Sequence, residues 1–301
     1  MRTLFIAVAL LAFTAKVSGC DVCGCSVGGN YFGILPGFHR HFVGLRWSAE
    51  TSYTALSADA LEAGHIHSVE QFNTLDMLAR LYPARRWQTL VLAPFRDFRQ
   101  TESGVASRAR GLGDVSLLAS YVLFDTGDSL RYRWRQTFSL GGGLKLPTGR
   151  YNSTATDGSR LNPNLQTGTG STDFLLTAAY TLRRGAWGAA ADVLARINTS
   201  NPHQYLFGNR LSGSAKCFYW ANLRRVALLP NAGVFADAAQ ANRDRGARIE
   251  GSEGLSTFAT LGLDAYAGHF SAGVTFQPPL WQSRRTVQAK ARWMITINYM
   301  I

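Results

Sequence analysis

The sequence predicts an all-β fold: a transmembrane antiparallel up-and-down β-barrel of about twelve strands, with short periplasmic turns and long outer loops. Three observations carry this. The first is a period-two pattern of unusual length over residues 131–149. There Tyr132, Trp134, Phe138, Leu140, Leu144 and Leu146 leave one face, with Gln136 the only polar intruder. Arg131, Arg133, Arg135, Thr137, Ser139 and Lys145 leave the other. Alternation means a strand, and strands of soluble sandwiches run to only about five or six residues. The second observation is that short and long connections alternate along the chain. The third is that no run outside the leader approaches the ~18 apolar residues of a spanning helix, so a membrane-crossing chain must cross as a barrel.

Residues 1–19 read as a secretory signal peptide, with Arg2 as basic n-region, an apolar stretch over 4–15, and Val17-Ser18-Gly19 before Cys20. The same tetrapeptide also fits a lipoprotein processing site, in which Cys20 is acylated. Residues 20–37 form a Cys/Gly-rich segment assigned to the periplasm, and 38–301 form the barrel.

The strands follow in order at 39–50, 72–82, 87–98, 114–124, 131–149, 172–182, 187–198, 211–221, 226–237, 255–266, 270–278 and 287–301. In the first, Val43, Leu45 and Trp47 alternate with Phe42, Arg46 and Ser48. In the last, Val287, Ala289, Trp293, Ile295, Ile297 and Tyr299 are expected outside, and Gln288, Lys290, Arg292, Thr296 and Asn298 inside. Tight turns carry Arg85-Arg86, Gly127, Arg183-Arg184-Gly185, Arg224-Arg225 and Gly268, and longer loops separate them. Trp47, Tyr82, Trp87, Tyr132, Tyr180, Trp187 and Tyr299 lie near strand ends, where aromatic girdles form. A soluble sandwich or lipocalin-like barrel would need the apolar rows inside, and strand length and girdle count against it.

The chain of 301 residues carries a formal net charge of +12 with only 17% charged residues. Its bases stand singly at alternate strand positions, and an export signal takes it out of the cytoplasm, so nucleic acid is excluded as a partner. The inward row of Arg46, Arg80, Arg96, Arg131, Arg133, Arg135, Lys145, Arg196, Lys216, Lys290 and Arg292 predicts a positive lumen. Rings of such bases favour anions in pores. Alternatively, internal salt bridges plug the barrel, since about twelve strands enclose a narrow lumen.

Of the four cysteines, Cys20, Cys23 and Cys25 fall at C-x-x-C-x-C spacing and Cys217 stands alone in a strand. Thiolates suit copper or zinc, and His39 and His41 on the same side complete a candidate metal site. His65 and His67 lie in the first long loop, across the membrane from it. A Cys23/Cys25 disulfide, or thiols with no common role, is the alternative. No G-x-S-x-G, H-E-x-x-H, P-loop or Rossmann pattern is present, so no catalytic residues are assigned. Asp76, Asp114, Asp173, Asp192 and Asp264 read as charge balance for lumenal bases, and Gly141-Gly142-Gly143 as close packing in a barrel wall.

Three stretches resemble a known family: Gly111-Leu112-Gly113-Asp114, Gly143-Leu144-Lys145-Leu146-Pro147-Thr148-Gly149, and residues 165–173, LQTGTGSTD. They are similar to the outer-membrane transporter family named after the meta-pathway of phenol degradation, over strands three to eight. The Cys23-Gly24-Cys25-Ser26 and Gly33-Ile34-Leu35-Pro36-Gly37-Phe38 stretches resemble a Bacteroidetes-type subset of such barrels and depart from the phenol-linked pattern. The resemblance implies a bacterial outer-membrane barrel with an uptake role and no catalytic residues. The expectation is a channel for a small anionic or hydrophobic solute, in contact with outer-membrane lipid. A periplasm-facing copper- or zinc-binding barrel and a plugged structural barrel are the alternatives.

Overall fold

The computed structural model describes residues 40–55, 67–102, 104–126, 133–153, 161–283 and 287–301. The expected signal peptide and Cys/Gly-rich segment lie outside these residues, as do Cys20, Cys23, Cys25, His39, His65 and Arg131.

Twelve long strands form the wall: β1 Phe42–Thr54, β2 Ser68–Ala84, β3 Trp87–Glu102, β4 Val115–Asp125, β5 Arg135–Leu146 and β6 Asp173–Arg184 complete the first half. The second half is β7 Trp187–Ile197, β8 Arg210–Tyr219, β9 Val226–Ala239, β10 Gly254–Ala267, β11 Phe270–Gln277 and β12 Arg292–Met300. Each pairs antiparallel with its neighbour in sequence, and β1 pairs with β12 from Phe42↔Met300 to Ala49↔Trp293, closing the ring. Closure leaves no edge strand, which a hydrocarbon environment requires. Among the described residues no helix is long and apolar enough to cross a membrane.

The face assignment settles what surrounds the barrel. Val43, Leu45 and Trp47 of β1, Phe174 and Leu176 of β6, and Ile295 and Ile297 of β12 all point outward, Ile297 being 55% exposed. Their strand neighbours Arg46, Glu50, Asp173 and Arg292 are buried inside. A soluble barrel would bury the aliphatic rows; this one presents them to solvent or lipid. The fold is that of an outer-membrane barrel, with the apolar band outside.

At the end of the short turns the outward rings pair: Trp87 with Tyr121 at 5.2 Å and Trp187 with Tyr219 at 5.0 Å between centroids. These turns are periplasmic by the usual polarity of such barrels. Gly185 and Gly268 close two of them with positive φ, a conformation in which a Cβ is strained. Tyr82, expected in the girdle, faces inward instead, its hydroxyl donating to Gln88 Oε1 at 3.2 Å.

Two expected strands differ from the sequence reading. β5 begins at Arg135, because β4 ends at Asp125 and Thr126 terminates the ladder by hydrogen bonds to Gln136. Alternation in the sequence continues below that point, but the described residues there, Arg133 and Trp134, form a bend rather than strand. The last strand is broken in two. Residues Val287–Ala289 pair with Ser52–Thr54 of β1, turning Val287 and Ala289 inward, and β12 starts afresh at Arg292. A register change across 290–291 reconciles the two pieces.

The outer connections are also more structured than loops. β3 continues into a hairpin with Val105–Leu112, and short strands at Tyr205–Leu206, Arg243–Asp244 and Ala247–Arg248 form a small sheet.

Candidate functional site

The interior is built from the inward row of every strand, and its charges are largely matched. Eight buried bases and six buried acids stand among the described residues, with Asp192 and Asp264 half-buried beside them. Arg46 lies directly opposite Asp76 on β2, with Nη2 to Oδ2 at 2.7 Å. Arg292 meets Glu50 at 2.9 Å across the β12–β1 seam, and its guanidinium lies 4.0 Å from the Phe258 ring centroid. Arg210 faces Asp237 at 3.6 Å. Lys216 is buried within electrostatic reach of Asp192 and Asp264. Arg80 lies over the Phe42 ring, and Arg196 sits inside opposite Arg210. Arg135 opens β5 opposite Arg183.

Two expected lumenal bases are elsewhere. Arg133 is exposed in a bend ahead of β5, where the ladder has ended. Lys290 lies in the register change, hydrogen-bonded to exposed Gln288 and 4.8 Å from the Tyr53 ring, on the outer face of the wall.

The densest polar cluster is at the outer mouth, where residues 147–172 leave β5. Asp114 is 1% exposed, and its Oδ2 accepts from Lys145 Nζ, the Thr169 backbone N–H and the Thr169 hydroxyl, each at 2.8 Å. Its Oδ1 accepts from the Gly149 N–H at 3.0 Å. Lys145 also meets Asp173 at 2.9 Å, donates to the Ser171 carbonyl at 3.0 Å and contacts the Thr169 hydroxyl. Thr148 bridges back to β4, accepting from Val115 N–H and donating to the Gly113 carbonyl, both at 2.9 Å. Arg96 of β3 donates to the Thr167 carbonyl at 2.8 Å. The two limbs of the loop touch at Gly149 and Gly168, where a Cβ on Gly168 would lie 2.4 Å from the Gly149 carbonyl carbon. A buried ion triad costs desolvation and repays it only when its lone pairs and protons are used; here Asp114 and Lys145 spend theirs on each other, on the Thr169 hydroxyl and on this loop's backbone at Gly149, Thr169 and Ser171.

This lock, the Asp114–Lys145–Asp173 triad with the loop backbone it holds, carries an apolar tip into the barrel. A short 3₁₀ turn, Pro163–Leu165, is capped by the Asn162 side chain and delivers Leu165 into a buried cluster with Phe72, Phe98, Phe235 and Phe258. These rings come from β2, β3, β9 and β10, on opposite walls. Towards the periplasm a second apolar cluster joins Phe42, Leu78, Leu90, Leu92, Leu118, Leu175, Leu194 and Met300. Below it a recess of about 490 Å³ opens at the mouth, lined by His41, Tyr82, Arg85, Arg86 and Asp125 among others.

The three stretches that carried the family resemblance therefore meet in one place: Asp114 from the first, Lys145, Thr148 and Gly149 from the second, Thr167, Thr169 and Asp173 from the third. Residues 63–216 match the model of the family described as MetA-pathway of phenol degradation, just over half of the chain. The chain belongs to that family. Within this family match lie the whole lock and strands β2 to β7. Among solved structures, an outer membrane channel from Pseudomonas putida F1 superposes with a TM-score of 0.65 at 14% identity, covering 91% of this chain and 98% of that one. The β domain of the Bordetella autotransporter BrkA gives 0.49 at 14% identity, covering 87% and 100%. No curated protein matches the sequence.

Of the expected metal ligands only His41 is described. Its Nδ1 accepts from the Tyr82 N–H at 3.1 Å, and no group of three potential ligands occurs among the described residues. His67, in the first outer loop, binds Glu102 at 2.8 Å. Cys217 is exposed on the outward face of β8. Sequence reasoning missed Thr148, Thr167 and Thr169 as lock residues; the Gly-flanked threonines of the second and third stretches were the available signal.

Proposed function

We propose that this barrel is an outer-membrane channel for small, weakly polar solutes, with residues 147–153 and 161–172 of the β5–β6 connection as its constriction. The observation that carries the reading is Leu165, held inside the barrel between phenylalanines of opposite walls while the neighbouring charges are spent on holding the loop. A row of unmatched bases would favour anions. Arg46, Arg210 and Arg292 each face a carboxylate instead, so the interior offers apolar rings and aliphatic side chains more than free positive charge. Such a surface admits a neutral aromatic or aliphatic solute with little desolvation cost. The likeness to the Pseudomonas putida outer membrane channel and the family's phenol-linked description support the same reading.

The test is single-channel recording in planar bilayers. Wild type should give a small conductance with weak ion preference, reduced by a dissolved neutral aromatic. Leu165→Ala should enlarge the conductance and weaken the block. A pronounced anion preference that Arg46→Gln removes would overturn the reading in favour of an anion pore. Silence from both proteins would leave a plugged structural barrel.

A further inference from the structure

The periplasmic end of the barrel carries a pattern that the constriction at the outer end does not use. At each of four consecutive turns there stands arginine: Arg85-Arg86 between β2 and β3, Arg133 ahead of β5, Arg183-Arg184 closing β6 at its turn into β7, and Arg224-Arg225 between β8 and β9. Arg85, Arg86, Arg133, Arg184, Arg224 and Arg225 are exposed. Among the described residues of these turns and the strand ends they join, Asp125 is the one exposed carboxylate. The outer end is mixed by contrast: Arg108 is held by Asp97 at 2.6 Å, and Arg248 pairs with Glu253.

The height of Arg86, Arg133 and Arg184 is fixed by the girdle. Trp87, Trp134 and Trp187 point outward and stay exposed, as interfacial tryptophans do where headgroups meet hydrocarbon. Arg86 directly precedes Trp87, Arg133 directly precedes Trp134, and the Arg184 guanidinium lies 5.2 Å from the Trp134 ring centroid. One residue beyond the girdle is the depth of lipid phosphates. Guanidinium groups there bind phosphate oxygens in pairs, while their stems lie against the rings.

We propose that this rim is a docking surface for anionic phospholipid headgroups of the periplasmic leaflet, a phosphodiester lipid of net negative charge. Continuity with the lipid-facing girdle favours a lipid over a soluble acidic protein, because a partner in the periplasm would have no use for residues level with the tryptophans. The arc covers the turns from β2 to β9, so bound lipid should gather on that side of the barrel.

The experiment is native mass spectrometry of the full chain in mixed micelles of phosphatidylglycerol and phosphatidylethanolamine. Wild type should retain phosphatidylglycerol about tenfold over phosphatidylethanolamine, a preference that falls as salt rises. A variant with Arg85→Gln, Arg86→Gln, Arg184→Gln and Arg225→Gln should lose it and still migrate as a folded barrel on unheated gels, and the corresponding Arg→Lys variant should keep most of it. The outer-end variant Arg99→Gln should retain the wild-type preference. Equal retention by wild type and the Gln variant would overturn the proposal. So would displacement of the lipid by inorganic phosphate or a soluble acidic peptide at matched ionic strength.

Discussion

At the outer end of the barrel Lys145 is all but fully buried, shares two carboxylates and ties down a loop. At the periplasmic end Arg85, Arg86 and Arg225 stand exposed one step past a belt of tryptophans. The same positive charge does structural work where water is excluded and stays available for binding where it is not. In the interior a charge must be matched or it is too costly to keep; at the rim water supplies the solvation. Counting bases in the sequence therefore overstates the positive potential of the lumen and understates that of one mouth.

The contrast can be broken most severely at the lock. Lys145→Met leaves Asp114 and Asp173 buried together without their cation, and should cost about 3–5 kcal/mol, read as a lowered urea midpoint for the folded barrel in lipid. Adding Asp114→Asn and Asp173→Asn to Lys145→Met should recover part of that loss. Thr169→Val removes a hydroxyl from Asp114 but keeps the backbone N–H, and should cost about 1–2 kcal/mol. Its clearer readout is electrical noise in bilayer recordings, as the limbs 147–153 and 161–172 loosen. Arg86→Gln at the other end should change stability by no more than about 0.5 kcal/mol, while measurably reducing retention of anionic lipid. An Arg86→Gln loss as large as that of Lys145→Met would erase the distinction between the two ends.

The wall of the barrel was legible because its signal is local: Val43, Leu45 and Trp47 against Arg46 and Ser48 need only a two-residue period and a known outside. The reading failed where alternation outran the ladder. Arg133 lies past the last residue of β4 that could pair with its strand, and Lys290 sits in a register change that no periodicity reveals. The lock was hidden for another reason. Asp114, Lys145 and Asp173 are each about thirty residues apart, and each alone looks like charge balance in a strand end. Their flanking glycines and threonines were visible as family stretches, but that they converge on one loop is a fact of β4, β5 and β6 standing side by side.

The seam between β1 and β12 has a consequence in time. Eleven of the twelve pairings join sequence neighbours and can form as each hairpin emerges, but the twelfth brings together residues 242 positions apart, such as Glu50 and Arg292. The entropy of closing so long a chain segment grows only logarithmically with its length, so a ring of preformed hairpins meets a modest barrier. Before that closure Glu50 and Arg292 would each face the interior without a partner. The last strand to arrive thus brings the counter-charge the first strand has been waiting for, and the register change at 290–291 lies immediately beside it, where a misaligned seam would first be felt.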